Sequence, residues 1–341
     1  MLVTAAQASN FSPGQTVFME SGDASPPTGH PPAHFEFNVV LSANPTTGII
    51  TLRNQLSDTY DWSNSTYPPM IAPISVVPSN ITVHDLGVTT SASASSISVE
   101  GTINTLIYNC SFTALNGTTG YIWNGYSWHA VIRDSQFLGV SSDLGDAGAY
   151  FQFTNNQMQN GILFGGGSGR QWLVDNNTFK GLAISTACDC AWAIDLGGSF
   201  ANSMTGLQIS NNSIYLSDQV QYGGGIMVWY TDTAIVRGNT ISGASTPSTN
   251  GQDGISVDSG STNTEVSQNI ITSTNLHTGV ALQSGSSGTS IMHNDLSLPG
   301  YGILIFPDAV NNTVGCNNFS GNATNIKVVP TGSYIASSSC N

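Results

Sequence analysis

One short pattern of apolar and polar positions recurs along most of this chain: an aliphatic residue, two variable positions, an asparagine, a variable position and a second apolar residue. Clear copies occupy residues 174–179, 209–214, 236–241 and 266–271, and further copies occupy 153–158, 291–296 and 314–319. Weaker copies at 83–88, 107–112 and 132–137 place Leu86, Cys110 and Ser135 at the asparagine position. Most successive asparagine positions lie 21–30 residues apart, so the pattern marks a repeating structural unit.

A second pattern, glycine-aliphatic-x-aliphatic, lies between copies of the first. It occurs at residues 161–164, 225–228, 254–257, 279–282 and 302–305. Each unit therefore contains two short strands whose side chains alternate between two faces. One unit cannot bury its apolar face alone, whereas stacked units pair edge to edge and share a continuous core. The repeat predicts an all-β solenoid.

The asparagine positions have a predicted structural role in this solenoid. We expect each asparagine to turn the chain in the left-handed region and to pass amide hydrogen bonds to the coils above and below. About ten coils, spaced about 4.8 Å apart, would span roughly 48 Å. The longer intervals, 177–212 and 239–269, predict insertions that loop out on one face, where solenoids usually carry function.

These two patterns resemble the single-stranded, right-handed parallel β-helix of the pectate-lyase-like superfamily. The resemblance implies a β-helix over residues 81–330 and a C-terminal tail over 331–341. Residues 1–80 do not repeat, and we assign them to an N-terminal β-rich cap and first irregular coils. Within that segment, residues 11–18 and 48–52 are predicted strands and residues 26–32 a proline-rich loop.

Charge narrows the range of partners. Six Lys and Arg residues stand against twenty Asp and Glu, which gives a formal net charge of −14. Such a chain lacks the basic face that a nucleic-acid-binding protein needs. No apolar run approaches the roughly 18–20 residues of a membrane-spanning helix, so we expect no membrane insertion. The oligomeric state is left open by the sequence.

Cysteine usage and composition bear on the cellular compartment. Residues 1–10 contain no basic segment followed by an apolar one, so a secretory signal is not expected there. The acidic, lysine-poor, Asn/Ser/Thr-rich composition nevertheless favours a secreted, extracellular protein. Cys316 and Cys340 are the best candidates for a disulfide, subject to its geometric limits, and Cys188 and Cys190 lack the spacing of a zinc site.

The candidate chemistry lies at outward positions of the glycine-aliphatic strands. Aligning those strands puts Asp195 at mid-strand, level with Met227 and Ser256, while Asp253 precedes its strand and Asp258 follows it. The same surface carries four aromatic residues, Trp192, Trp229, Tyr230 and Tyr301. Carboxylates among aromatic rings are typical of carbohydrate sites, because a sugar offers hydroxyls to the former and an apolar face to the latter. The predicted partner is therefore a polysaccharide substrate.

This region also resembles the polygalacturonase-type glycoside hydrolases. Asp253 in the pair Gln252-Asp253 matches the second member of their Asp-Asp motif, and His277-Thr278-Gly279 stands where they have Gly-His-Gly. Their Asn-Thr-Asp motif is replaced here by Tyr222-Gly223-Gly224. The resemblance implies catalytic roles for Asp253 and His277. Asp195 and Asp258 are candidates from their positions on the same surface, where two carboxylates across a sugar could serve as acid and base.

Three functions remain open from the sequence. Hydrolysis of a neutral or weakly acidic polysaccharide by paired carboxylates is favoured, since a strongly acidic chain repels polyanions. A polysaccharide lyase would need Ca²⁺ or a cationic side chain against the uronate, and Arg170 is expected to lie close enough to join Asp195. Asp143 and Asp146 could contribute to a calcium site. The third function is a non-enzymatic cell-surface or adhesin-type β-helix.

Overall fold

The chain winds through three parallel sheets in a fixed order, one strand per sheet in each coil. The computed structural model describes residues 1–20, 35–56, 60, 69–75, 77–90, 95–115, 120–144, 148–167, 169–181, 190–198, 203–216, 222–243, 252–258 and 260–338. We name the sheets by the pattern that they carry: sheet I holds the glycine-aliphatic strands, and sheets II and III hold the strands before and after the asparagine position.

The strands of sheet I are Ser95–Glu100, Gly120–Gly125, Val140–Asp143, Leu163–Gly165, Cys190–Gly197, Tyr222–Trp229, Gln252–Val257, Thr278–Leu282, Tyr301–Ile305 and Thr324–Val328. Those of sheet II are Ser79–His84, Ile103–Tyr108, Ser127–Arg133, Gln152–Thr154, Leu173–Asp175, Gln208–Ser210, Ile235–Arg237, Glu265–Ser267, Ser290–Met292, Asn312–Gly315 and Tyr334–Ser337. Sheet III contains Gly87–Thr90, Ser111–Ala114, Gln136–Leu138, Gln157–Gln159, Thr178–Lys180, Ser213–Leu216, Thr240–Gly243, Ile270–Thr272, Asp295–Ser297 and Asn318–Ser320. Short additional strands beside sheet II are Gly148–Ala149, Met204–Thr205 and Thr231–Asp232.

These sheets confirm the predicted parallel β-helix, and the number of coils among the described residues is roughly similar to the predicted one. Sheets I and III are each ten-stranded, and neighbouring strands belong to successive coils. The segment expected to be a C-terminal tail contributes one more parallel strand, Tyr334–Ser337, which pairs with Asn312–Gly315. The insertions predicted within 177–212 and 239–269 lie partly outside the described residues.

The core is a set of ladders in which each coil adds one apolar side chain. In sheet II, Val174, Ile209 and Val236 pair in register across successive coils, and all three are fully buried. Equivalent ladders line the inner faces of sheets I and III. Because each rung packs on the rungs above and below, the core is continuous along the axis.

Buried asparagines form a second ladder at the corner between sheets II and III. Asn239 is fully buried; its Oδ1 accepts from the backbone N–H and the Nδ2 of Asn212, and its Nδ2 donates to the carbonyl of Ile209. Asn269 repeats the pattern one coil further on. The predicted amide ladder is thus confirmed.

The predicted left-handed conformation belongs to a neighbouring residue. Positive φ angles occur one position before the ladder, at Asn176 (56°), Asn211 (55°), Gly238 (67°) and Gln268 (56°). The residue before the asparagine therefore makes the turn, and the asparagine itself is left to point inward and bind backbone groups of the neighbouring coils.

The N-terminal segment is a small antiparallel unit. It comprises the helix Ala5–Ala8 and the strands Thr16–Glu20, Phe35–Asn44, Ile49–Leu52 and Met70–Ile74. Two of these strands overlap the predicted ones, and the predicted loop 26–32 lies outside the described residues. The unit has its own core of Phe11, Val17, Val40 and Ile50.

Arg170 fastens this unit to the β-helix. Its guanidinium donates to the carbonyl oxygen of Phe35 and lies 4.9 Å from the ring centroid of Trp128. Burial lowers the pKa of Arg170 to about 10, and the negative charge of Glu36 opposes that shift. Arg170 itself bridges Ala149 and Thr205, which accompany sheet II. It therefore acts as a structural anchor.

Two further observations concern the cysteines and the membrane. Cys316 is disulfide-bonded, and Cys340, its predicted partner, lies outside the described residues, as does Cys188. Cys110 occupies an asparagine position as a buried free thiol. Among the described residues, no helix has both the length and the apolarity to cross a membrane.

Replacing Asn239 by alanine is expected to lower the free energy of unfolding by about 2–4 kcal/mol, because several buried polar groups lose their partner at once. Denaturant unfolding followed by circular dichroism measures the change. Asn318→Ala is the matched control: among the described residues, the side chain of this exposed asparagine bonds only that of Asp295, and its removal should cost less than about 0.5 kcal/mol. Equal losses in the two variants would contradict a structural role for the buried ladder.

Candidate functional site

The candidate residues meet on the outer face of sheet I, across the coils from Cys190–Gly197 to Tyr301–Ile305. Asp195 pairs with Met227, which pairs with Ser256 on the next coil. On the amino-terminal side of the same strands, Trp192, Gly224, Asp253, Thr278 and Tyr301 are in register. These pairings match the alignment made from the sequence, so residues far apart in the chain become neighbours on this face.

The face is recessed rather than flat. Ser256 and Ala281 occupy its middle, on the side of the strands opposite the ladder residues Ile255 and Val280, yet their exposed fractions are 1% and 0%. Thr278 is likewise fully buried. Polar groups placed here are therefore largely removed from water, which alters their ionisation.

Asp195 stands at mid-strand and is held by an aromatic side chain. The indole Nε1–H of Trp229 donates to its Oδ1 over 2.7 Å. Burial raises the pKa of Asp195 to about 6; the indole hydrogen bond opposes this shift, and the negative charge of Asp258 adds to it. The carboxyl group therefore changes protonation state close to neutral pH.

Asp253 is buried more deeply, with 7% of its surface exposed. Burial raises its pKa to about 7, Thr278 lowers it through a hydrogen bond, and the charge of Asp258 raises it. The Nδ1 of His277 lies 2.9 Å from Oγ1 of the same threonine. Thr278 thus connects His277 to the Asp253 carboxyl, and burial lowers the pKa of the imidazole.

Asp258 is the third carboxylate of the group. Its negative charge raises the pKa values of both Asp195 and Asp253. Its backbone follows the strand Gln252–Val257 directly, and its N–H donates to the carbonyl of Val228. The three carboxylates thus form one group, in which the charge of Asp258 acts on the other two.

Glycines on neighbouring coils make room for the two tryptophans. A Cβ atom on Gly224 would come within 2.9 Å of Cζ3 of Trp192, and a Cβ on Gly197 within 2.5 Å of Cδ2 of Trp229. Each indole therefore lies directly against backbone that lacks a side chain. Trp192 and Trp229 are both half-buried, which leaves part of each available to a ligand.

The two tyrosines lie at the margins of the carboxylate group. The Tyr230 ring packs against Gly260 and lies 6.1 Å from the Trp229 ring. Tyr301 makes an edge-to-face contact with His277, with ring centroids 5.2 Å apart. The aromatic residues predicted from the sequence thus surround the carboxylates.

Arg170 is the predicted site residue that lies elsewhere. Its guanidinium is directed at Phe35 and Trp128 of the cap contact, so the expectation that it would join Asp195 is wrong. The sequence places Arg170 along the coil but does not give the direction of its side chain at the corner. A long cation next to a corner can turn towards either of two sheets.

The described residues contain no group of three or more His, Cys, Asp or Glu side chains arranged to hold a metal ion. Of the two aspartates considered for calcium, Asp143 ends a strand of sheet I, and Asp146 lies outside the described residues.

Sequence reasoning missed Thr278 and the two glycines as contributors. The sequence carries no signal for this role of Thr278, yet it bonds the Asp253 carboxyl and contacts His277. Gly197 and Gly224 pair with Trp229 and Trp192 on neighbouring coils, and that pairing of glycine with tryptophan is the signal available in the sequence.

A known protein family matches this chain. The family described as "Right handed beta helix region" matches residues 147–319, which include Asp195, Asp253 and Asp258. No curated protein matches the chain significantly.

Several solved structures share the architecture. The tailspike of E. coli bacteriophage HK620, solved with a pentasaccharide, is 14% identical with a TM-score of 0.50, covering 76% of this chain and 57% of the tailspike. The lacto-N-biosidase of Eubacterium ramulus is 14% identical (TM-score 0.44, covering 70% of this chain and 50% of the enzyme). The Streptococcus pneumoniae surface protein and adhesin PfbA is 10% identical (TM-score 0.36, covering 75% and 89%). The chain thus spans 57% and 50% of the lengths of the first two. At 14% identity, the likeness to the tailspike shows the fold alone.

Asp253→Asn is expected to stabilise the protein increasingly as the pH rises. The folded-state pKa of Asp253 is raised to about 7 from 3.8. Between those pH values the unfolded chain releases a proton that the folded protein keeps, so the wild type loses stability as the pH rises towards 7. The neutral amide avoids this loss, by at most about 1.4 kcal/mol per pH unit. Thermal midpoints of both proteins at pH 5 and pH 8 measure the difference; a gap that does not widen at pH 8 would contradict the burial of the charge.

Proposed function

Because this chain belongs to the right-handed β-helix family, we propose that the recessed face of sheet I hydrolyses glycosidic bonds of a polysaccharide. The single observation that carries the proposal is the pair of carboxyl groups, Asp195 and Asp253, whose pKa values are raised to about 6 and about 7. A group with a pKa near the working pH can both donate and accept protons efficiently.

The two aspartates are assigned different roles. Asp253, the more buried group with the higher pKa, donates its proton to the glycosidic oxygen as the bond to the anomeric carbon breaks. Asp195, held by the Trp229 indole, accepts a proton from the water that attacks that carbon. The proton gained by Asp195 and the one lost by Asp253 balance, and exchange with solvent restores the starting state.

The spacing of these residues favours inversion at the anomeric carbon. Their strands, Cys190–Gly197 and Gln252–Val257, are separated by one intervening coil, which places them about 10 Å apart along the axis. A lateral offset adds to this distance, because Asp195 is level with Ser256 and Asp253 precedes Ser256 on its strand. Inverting enzymes hold their two carboxyl groups about 6.5–9.5 Å apart to leave room for water, and retaining enzymes only about 5–5.5 Å. Side chains that lean towards each other reach the former range more readily than the latter.

The remaining residues support binding of sugar rings. Trp192, Trp229 and Tyr301 offer aromatic faces and edges next to the carboxylates, and Tyr230 extends the row beyond Trp229. A sugar ring stacks its apolar face on such rings while its hydroxyls bond the acidic groups. The cluster of three carboxylates disfavours polyanions, so the proposed substrate is neutral or weakly acidic.

The cellular setting is part of the same proposal. The structural relatives include a phage tailspike solved with a pentasaccharide and a bacterial surface adhesin. We propose that the polysaccharide substrate of this chain is likewise extracellular. These similarities are at the level of the fold. The assignment of activity to this chain rests on the carboxylates of sheet I.

Asp195→Asn and Asp253→Asn are each expected to lower the rate of reducing-sugar release by about 10²–10⁴-fold, because each removes one proton-transfer group. Screening the wild type on a panel of polysaccharides identifies the substrate, and the variants are then compared on it. Asp295→Asn is the control, since this exposed aspartate lies on sheet III. Full activity in Asp195→Asn would contradict the assigned role.

The same panel separates the alternatives. An unsaturated product absorbing near 235 nm would identify a lyase in place of a hydrolase. Saturable binding of a polysaccharide without any cleavage would identify an adhesin-type function.

Asp258→Asn is expected to move both limbs of the pH–rate profile to lower pH. The wild-type profile should be bell-shaped between about 6 and about 7, since Asp195 must be ionised and Asp253 protonated. The charge of Asp258 raises both pKa values, so its removal lowers both. Rates measured from pH 4 to pH 9 test this; unchanged limbs would show that Asp258 does not tune the pair.

A further inference from the structure

A cavity opens at the outer face of sheet II, on a different sheet from the recessed face of sheet I. Its volume is about 350 Å³, within the range of pockets that bind small molecules. It lies over the strands Ile235–Arg237, Glu265–Ser267 and Ser290–Met292. None of the residues assigned above to glycoside hydrolysis lines it.

Small residues form the floor of this cavity and longer ones its walls. Ser267 and Ser290 lie on adjacent strands at its base, and Gly288 occupies a corner position with φ of 67°. A Cβ on Gly288 would come within 2.7 Å of Oδ1 of Asn263, so the absence of a side chain there keeps this border open. The depression is therefore set by the sequence of two successive coils.

Arg237 supplies a positive charge that the protein does not neutralise. Its Nε donates to Oε1 of Gln268 over 3.0 Å, and this is the one hydrogen bond that its side chain makes with the described residues. None of the ion pairs among the described residues involves it. The side chain is thereby oriented while its two terminal nitrogens stay available, in a chain that has only six Lys and Arg residues.

Arg133 shows how an arginine at this lateral position is neutralised by the protein. It occupies the same lateral position of sheet II four coils earlier, through register pairs that run by way of Thr154, Asp175 and Ser210. There the guanidinium pairs with Asp134 and lies 5.0 Å from the Tyr108 ring centroid. The same position can therefore be occupied by a neutralised arginine, and Arg237 is not one.

The opposite side of the cavity carries a carboxylate that stays apart from the arginine. Glu265 accepts a hydrogen bond from the Ser267 hydroxyl and forms no ion pair with Arg237, although both line the cavity. Met292, which pairs with Ser267 on the next coil, adds an apolar surface. A ligand that fits must place a negative group at Arg237, hydrogen-bond donors at Glu265 and an apolar side against the methionine.

We propose that this cavity binds a monosaccharide unit that carries a carboxylate, with the carboxylate at Arg237 and its hydroxyls at Glu265 and Ser290. A guanidinium binds a carboxylate by charge-assisted, often bidentate hydrogen bonds, whereas sugar hydroxyls donate to a carboxylate such as Glu265. A phosphate or sulfate fits less well, because its additional charged oxygens would face Glu265. This site is separate from the face proposed for hydrolysis and would retain an acidic residue of a glycan that the other face does not select.

The test compares three probes by ligand-observed NMR titration of the full chain: glucuronate, glucose and acetate. Glucuronate carries both the carboxylate and the hydroxyls, and the other two probes carry one kind of group each. Glucuronate is expected to bind saturably and at least tenfold more tightly than either. In Arg237→Met that affinity should fall about tenfold or more, towards the value for glucose.

Matched variants make the outcome decisive. Arg133→Met removes a cation from the same lateral position and should leave glucuronate binding unchanged. Ser290→Tyr fills the floor without altering charge and should abolish binding, while Asp195→Asn, on sheet I, should not affect it. Equal binding of acetate and glucuronate, unchanged affinity in Arg237→Met, or loss of binding in Asp195→Asn would each overturn the proposal, as would the absence of glucuronate binding in the wild type.

Discussion

The fixed register between coils is the constraint on which the rest of this protein depends. It is held at the corner between sheets II and III, where each buried asparagine bonds backbone groups of the coils beside it. Backbone hydrogen bonds alone would allow a coil to slip by a residue pair, but a slipped asparagine would leave buried donors and acceptors without partners. That arrangement determines which residues are neighbours at every outward position of sheets I and II.

The face on sheet I shows how a regular frame produces irregular chemistry. Its strands continue the same ladders as the rest of the helix, and Ile194 and Ile255 are ordinary core residues beneath it. The difference lies in the outward residues, where burial of Asp195 and Asp253 penalises their ionised forms. Bare glycine backbone beside Trp192 and Trp229 lets large rings lie close to these carboxyl groups without distorting the strands.

Periodic features could be predicted from the sequence, and directional ones could not. The asparagine and glycine-aliphatic repeats determine the parallel strands and even the pairing of Asp195 with Met227, because register follows from counting residues. The turn was placed one residue too late, at the asparagine itself, since the pattern does not distinguish the residue that turns from the one that points inward. Arg170 was misplaced for a related reason: its partners Phe35 and Trp128 come from distant segments, and no repeat encodes that contact.

The stacking of coils also makes the distance between the two sheet I aspartates a discrete quantity. Asp195 is level with Met227 on the intervening coil, so an acidic residue at 227 would stand one coil nearer to Asp253. Each such step changes the axial separation by about 4.8 Å, which is comparable to the difference between the carboxyl spacings of inverting and retaining glycosidases. A point substitution, with no change of backbone, could therefore switch the stereochemical outcome that such a scaffold supports.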